Sequence, residues 1–177
     1  NRFVHFPWAV ADEYLSSHEI DSVTNEVVAF GGAKSDAYDV RNWCKAQECV
    51  DSYDNSGVEN KVFTDRDYFK WLSEFDAVVA AGSSDPKYDL VTPKYFEICA
   101  GGALLIGQNC KDLARLGFDE SNSLMFEKPN FIEQIKYYRE RPGDYIERRI
   151  KGRDLIVSRH LISHRISQLE HLSKQII

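Results

Sequence analysis

Three short runs along the chain are apolar without polar alternation, each ending at a turn. Glu26-Val27-Val28-Ala29-Phe30 ends at Gly31-Gly32, Asp76-Ala77-Val78-Val79-Ala80-Ala81 ends in the loop Gly82-Ser83-Ser84-Asp85-Pro86, and Ala103-Leu104-Leu105-Ile106 is the third. Runs of this length read as strands covered on both faces, the habit of a parallel sheet. Weaker strands are expected at Phe3–Phe6, stopped by Pro7, at Asn60–Phe63 and at Ser123–Phe126. Between the strands, apolar positions recur at helical spacing. Asp39–Gln47 carries Val40, Trp43 and Cys44. A helix capped by Thr64, with Asp67 in its first turn, carries Tyr68, Phe69, Trp71, Leu72 and Phe75. Thr92–Ala100, Cys110–Leu116 and Asn130–Arg139 come next, the last with Asn130 and Glu133 as a capping-box-like start. A short helical piece is expected at Ala11–Leu15. Asp51–Gly57 reads as a polar turn, and Gly143–Ile177 as helix with a break near Ser158.

Strands alternating with helices from about residue 26 imply right-handed βαβ units. The expected fold is α/β: a single Rossmann-like domain over residues 1–177, with a mainly parallel sheet, helices on both faces and closure by the C-terminal helices. Its 177 residues, 43% hydrophobic and 28% charged, suit one globular domain. No run approaches the ~18 apolar residues of a membrane span, and no leader is expected before the strand-like start. The first residue, Asn1, is not an initiator Met, which suggests a chain cut from something longer. Cysteines at 44, 49, 99 and 110 show neither C-x-x-C nor zinc spacing, so a reducing compartment is expected. A net charge of −6 argues against non-specific nucleic-acid binding.

The segment richest in chemistry runs from Asp85 through Asp89, Thr92, Pro93, Lys94 and Glu97 to Gly101, Gly102 and Ile106. Thr92 suits an N-cap and Pro93 the first helical position. The helix start then presents backbone N–H groups and the positive end of the dipole, an anion site to which Lys94 adds a full charge. Glu97, one turn on, leans back toward the same end and can accept from a diol such as a ribose. Asp89, eight residues earlier, can hold a second hydroxylated group. The plain alternative is an ordinary Thr-Pro helix start with a solvated Glu.

This block resembles the C-terminal domain of the group-1 (family 4-type) GT-B glycosyltransferases, particularly their CgeB-like branch. There an acidic residue, seven residues and a Glu lie within a helix of the form [ST]-P-[KR]-x-F-E-x-x-A-x-G, followed by an apolar strand; here Asp89 and Glu97 stand at those positions. The resemblance implies that Glu97 binds the donor ribose, that Lys94 and the backbone from Leu90 through Thr92 to Pro93 face the diphosphate, and that Asp89 contacts the donor sugar. The family more often carries Glu where Asp89 stands. Gly31 and Gly32, with Arg41 ahead of a short helix, are similar to the family's first strand and glycine turn. Trp71-Leu-Ser-Glu-Phe-Asp76 resembles its helix, acidic residue and strand, and His160-Leu-Ile-Ser-His164-Arg165 its closing helix, with Ile162 in place of the usual Thr.

The resemblance further implies a hexosyltransferase-like donor half that takes a nucleotide-diphosphate sugar, such as a UDP-sugar, for glycan or polysaccharide synthesis. No metal or other cofactor is expected. The implied partners are a nucleotide sugar, an N-terminal acceptor domain or subunit absent from this chain, and a glycan, lipid or protein acceptor. The expected location is cytoplasmic, at most peripheral to a membrane. The rival expectation is a non-catalytic α/β binding or regulatory module with a flavodoxin-like sheet.

Other signals read more plainly. Gly31-Gly32-Ala33-Lys34-Ser35 fits neither a dinucleotide fingerprint nor a P-loop, leaving a tight strand-to-helix turn. His160 and His164 lack a third ligand and read as a surface helix. Arg148, Arg149, Lys151, Arg153 and Arg159, interleaved with Glu147 and Asp154, read as a solvated helix face. Ile162, Ile166, Leu169, Leu172 and Ile176 keep helical spacing and are expected to pack on this domain or on a partner domain.

Overall fold

The computed structural model describes residues 4–21, 23–32, 35–53, 64–89 and 91–174. Five parallel strands form its centre: β1 (Val28–Phe30), β2 (Asp51–Tyr53), β3 (Ala77–Ala80), β4 (Leu104–Gln108) and β5 (Leu124–Phe126). Their order is β2-β1-β3-β4-β5. Val28 pairs with both Asp51 and Val78, Val78 with Leu105, and Ile106 with Leu124. The helices are α1 (Asp39–Lys45), α2 (Asp65–Leu72), α3 (Pro93–Ala100), α4 (Leu113–Leu116), α5 (Lys128–Glu140), α6 (Ile146–Arg159) and α7 (Ile162–Lys174). The expected α/β, Rossmann-like fold is the one observed.

Side-chain alternation along the strands builds two cores. Val28, Phe30, Val78, Ala80 and Leu105 point to one face, where α2, α3, α4 and α6 supply Leu72, Phe96, Ile98, Leu113 and Ile156. Val27, Ala29, Ala77, Val79, Leu104 and Ile106 point to the other, met by Val40 and Cys44 of α1 and by Phe131, Ile135 and Tyr138 of α5. Each large apolar side chain so enclosed stabilises the fold by roughly 1.5–3 kcal/mol. The unbroken apolar runs are thus explained: neither face of the inner strands meets water.

Several local expectations are corrected. Residues 4–6 form no strand; among the described residues the early chain meets a β-partner at Val10, bridged in parallel to Leu161. Asp51–Tyr53, expected as turn, is an edge strand. There the backbone pairs with β1 and the Asp51 carboxylate accepts from Val27 N–H (3.0 Å), so no apolar pattern is needed. The strand expected at Asn60–Phe63 lies outside the described residues. Helix α5 starts two residues before Asn130, which is its third helical residue: its Oδ1 accepts from Glu127 N–H at 2.9 Å, so the cap is Glu127. The closing helices break at His160 and Leu161, where Val10 N–H donates to His160 O and Ile162 N–H to Val10 O, both at 2.9 Å.

Two residues differ from the surface reading, His160 and, within the basic run, Arg149; Lys151 and Arg159 are exposed as expected. His160 is buried against Phe96 and Phe118; its Nε2 donates to Leu116 O (2.7 Å) while Nδ1 accepts from Arg165 (2.9 Å). Burial and the nearby arginines push it down to about 4, so it stays neutral. Arg149 is also buried: it pairs with Asp76 at 2.6 Å at the N-terminal edge of β3 and donates to Gly102 O at 2.9 Å. Along one helix a charge on the inward face is drawn to the acid beneath it, which spacing alone does not reveal.

Candidate functional site

In this strand order the direction of winding reverses between β1 and β3, and ligands of such sheets bind outside the carboxyl ends of the strands at that crevice. Both chain segments leave the sheet there through glycine, at Gly31-Gly32 and at Gly82. Gly31 has φ +106°, and a Cβ on it would lie 2.9 Å from Lys94 Nζ and 3.2 Å from an Arg41 nitrogen. The backbone conformation calls for glycine at this position, and a Cβ there would also push aside the ends of the Lys94 and Arg41 side chains. A Cβ on Gly32 would meet nothing within 4 Å, so that residue borders open space.

Three cationic side chains converge on this turn. Lys94 Nζ donates to Phe30 O at 2.9 Å, Lys45 Nζ to Gly31 O at 3.5 Å and an Arg41 nitrogen to Gly32 O at 3.3 Å. Arg41 is buried, with Nε donating to Ala81 O (3.0 Å) and its guanidinium over the Tyr38 ring (4.2 Å). It thereby ties the end of β3 to the end of β1. The loop after β3 is fixed in turn by Gln108, which accepts from Gly82 N–H (2.9 Å) and donates to Ser83 O (2.8 Å). Asp39, at the start of α1, holds the next residues. Its burial works against ionisation, but hydrogen bonds from Ser84 and Ser83 outweigh it and keep the carboxyl well below the usual range.

Helix α3 begins above the same turn. Thr92 is extended (φ −89°, ψ 162°) and Pro93 takes the first helical position. Thr92 occupies the N-cap position, yet its side chain makes no capping bond; Tyr95 N–H reaches Thr92 O instead, at 3.2 Å. Tyr95, Phe96, Ile98 and Cys99 bury the inner face of α3. Lys94 and Glu97, three residues apart and half-buried, share the remaining edge. Lys94 Nζ sits 3.7 Å from the centre of the Phe30 ring. Glu97 Oε2 accepts from Tyr68 Oη at 2.9 Å. Burial pushes the Glu97 carboxyl above its ordinary value, against the opposing pull of that hydrogen bond and of Lys94, with Asp65 adding to the rise.

Of the residues singled out in the sequence, Gly31, Gly32, Arg41, Lys94 and the start of α3 at Thr92 and Pro93 gather at the β1/β3 crevice, with Glu97 one turn into the helix. Asp89 ends the short turn Pro86–Tyr88 and is half-buried; its charge bears on Tyr95 and Cys110. Leu90 lies outside the described residues. Sequence reasoning passes over Lys45, Tyr68 and Gln108, which the fold brings to this cluster. Tyr68 looks like one more apolar position of α2; a tyrosine on an amphipathic face, whose hydroxyl needs a partner once half-buried, is the available signal. Among the described residues, no three His, Cys, Asp or Glu side chains are arranged to hold a metal ion.

A second feature borders the site. Val91 also lines a groove of about 680 Å³ shared with Phe6, Trp8, Leu116, Ile162 and Ile166. Trp8, Ile166 and Leu169 are each more than half exposed. No helix among the described residues is long and apolar enough to cross a membrane.

Known proteins resemble this chain in fold and family. The structure matches the crystal structure of TarM with a TM-score of 0.59 at 13% identity, covering 96% of this chain and 37% of that one. The chain therefore spans little more than a third of the length of that protein, and the likeness carries the fold. No curated protein sequence matches the chain. A family model described as glycosyl transferase-like matches residues 18–171, nearly the whole sequence, and the chain belongs to that glycosyl transferase-like family.

Proposed function

We propose that this domain is the donor-binding, C-terminal half of a GT-B glycosyltransferase, of the CgeB-like branch, and that it holds a nucleotide-diphosphate sugar at the β1/β3 crevice. The observation that carries the reading is the convergence of Lys94, Arg41 and the Gly31 turn beneath the start of α3, with Glu97 one turn behind. The diphosphate lies against the Gly31-Gly32 turn, where the backbone leaves room at Gly32, and takes charge-assisted hydrogen bonds from Lys94, from Arg41 and from the α3 N-terminus. Glu97 accepts from the ribose hydroxyls, and Asp89 contacts the donor sugar.

The chemistry is positioning with electrostatic stabilisation. As the bond between the anomeric carbon and the distal phosphate oxygen breaks, the diphosphate leaves with the bonding electrons, and the cations at the crevice offset its growing charge. The acceptor (a glycan, lipid or protein) is presented by a second domain or subunit. The exposed apolar face of residues 4–9 and α7, bordering the site at Val91, supports a covering partner there. The isolated chain accordingly binds donor and transfers nothing.

Calorimetric titration with UDP, GDP, ADP and CDP tests the reading, on the wild-type chain and on Glu97→Ala. One nucleotide is expected to bind, with binding lost or strongly weakened in the variant. A folded wild-type chain that binds none of the four would overturn the donor-site reading. Turnover by the isolated chain with sugar nucleotides and acceptors would overturn the need for a partner.

A further inference from the structure

Resting on the reading of Glu97 as the ribose acceptor, we infer that Tyr68 is a positioning residue of that site: its hydroxyl holds Glu97 Oε2 so that the other carboxylate oxygen serves the ligand's hydroxyl groups. The two residues come from different elements, Tyr68 from α2 and Glu97 from α3, and meet at 2.9 Å. Both partners of the hydrogen bond are half-buried, where such a bond is worth more than in water.

Tyr68 is itself held in place. Its backbone N–H donates to Thr64 O at 2.9 Å, in a first turn fixed by the bond from Asp67 N–H to Thr64 Oγ1 at 3.2 Å. Its ring packs edge-on against Phe30 (6.4 Å) and Phe69 (5.5 Å) and tilts against Trp71 (6.2 Å). Phe30 is the residue whose carbonyl and ring face both receive Lys94. One side chain at the end of β1 therefore braces the anion-binding lysine on its face and the tyrosine that orients Glu97 at its edge.

A tyrosine hydroxyl suits this task because it donates to a carboxylate without adding charge. A lysine there would pair with the Glu97 carboxylate and neutralise it, and a phenylalanine would remove the hydrogen bond that holds Oε2. Burial and the charge of Asp65 raise the pKa of Glu97, while the Tyr68 bond and Lys94 favour the ionised carboxylate.

The test uses Tyr68→Phe, which keeps the ring and removes the donor. Binding of whichever nucleoside diphosphate the wild type selects is compared with binding of its 2′,3′-dideoxy form, from pH 5 to 8, alongside a melting curve for each variant. Wild type is expected to prefer the ribonucleotide and to lose that preference as Glu97 takes up a proton at low pH. Tyr68→Phe is expected to bind the ribonucleotide about 3- to 10-fold more weakly, to bind the dideoxy form nearly as wild type does, and to lose its preference at a higher pH. An unchanged preference and pH midpoint in a folded Tyr68→Phe chain would make Tyr68 a mere brace between helices and overturn the inference. So would equal weakening for both ligands. Should the variant fail to fold, Glu97→Gln decides instead: it must remove the pH dependence of the preference, and a dependence that survives overturns the inference. A wild type that binds but ignores the ribose hydroxyls defeats the reading of Glu97, and the inference with it, while leaving the diphosphate site standing.

Discussion

The two edges of the sheet use the same materials to opposite ends. At the N-terminal edge Arg149 donates to the carbonyl of Gly102 and pairs with Asp76, whose other oxygen takes the N–H of Thr24. Acid, base and backbone are matched there, and both side chains are at most 15% exposed. At the C-terminal edge Lys94, Lys45 and Arg41 reach the carbonyls of three consecutive residues, beside a turn with open space at Gly32 and below the start of a helix whose N-cap side chain makes no capping bond. One edge is a closed structural joint. The other gathers positive charge beside open space at Gly32. The two edges thus differ less in composition than in what their cations reach: a buried carboxylate at one, consecutive backbone carbonyls beside open space at the other.

The sharpest way to break this contrast is to damage each edge separately. Asp76→Ala leaves Arg149 buried without its acid and is expected to cost about 3–5 kcal/mol of stability by urea denaturation. Nucleotide affinity, measured on the fraction that remains folded, should stay near the wild-type value. Gly31→Ala acts on the other edge: its positive φ and the crowding by Lys94 predict a loss of about 1–3 kcal/mol, together with weaker nucleotide binding. Lys94→Ala is expected to reduce affinity for the nucleoside diphosphate roughly tenfold, about 1.4 kcal/mol, and to change nucleoside binding little; calorimetry reads both.

The smallest expected effect has the opposite sign. Glu97 has its folded-state pKa raised, so its contribution to stability is full below the unfolded-state value and is lost as pH rises through the folded one. At neutral pH its ionisation is a cost. Glu97→Gln is therefore expected to stabilise the chain by roughly 0.5–1 kcal/mol, a rise of about 1–4 °C in Tm, while weakening nucleotide binding. The gain should vanish in melts below about pH 4, where the carboxyl is protonated in both states. A variant less stable at pH 7 would contradict the assignment of burial as the dominant influence on this group.

The strands and helices legible in the sequence are those whose patterns come from burial. Val27–Phe30, Ala77–Ala81 and Leu104–Ile106 are enclosed on both faces and read as strands for that reason. β2 escapes such a reading because an edge strand is held by backbone pairing, and Asp51-Ser52-Tyr53 carries no burial pattern. Residues 4–6 mislead because two aromatic-flanked positions resemble a strand when the partner that would pair with them is unknown. In the candidate site, positions set by local helix geometry are legible: Pro93, Lys94 and Glu97 belong to one helix. Contacts made across elements are not. Lys45 therefore gives no signal of its place, Tyr68 only that its hydroxyl needs some partner, and the burial of Arg149 and His160 is equally hidden in their spacing.

The pairing of the early segment with α7 has a mechanical consequence. The two run in opposite directions after the bridge at Val10 and Leu161: Arg165 reaches the carbonyls of Pro7 and Trp8, and Gln168 that of His5. Tension applied between residues 4 and 174 would therefore meet these bonds one after another, Gln168 first, then Arg165 and the Val10 bridge, with the bonds from Ser163 to Asp12 behind them. Loaded this way the seam yields like a zipper, one bond at a time, and none of those bonds belongs to a strand that carries the crevice.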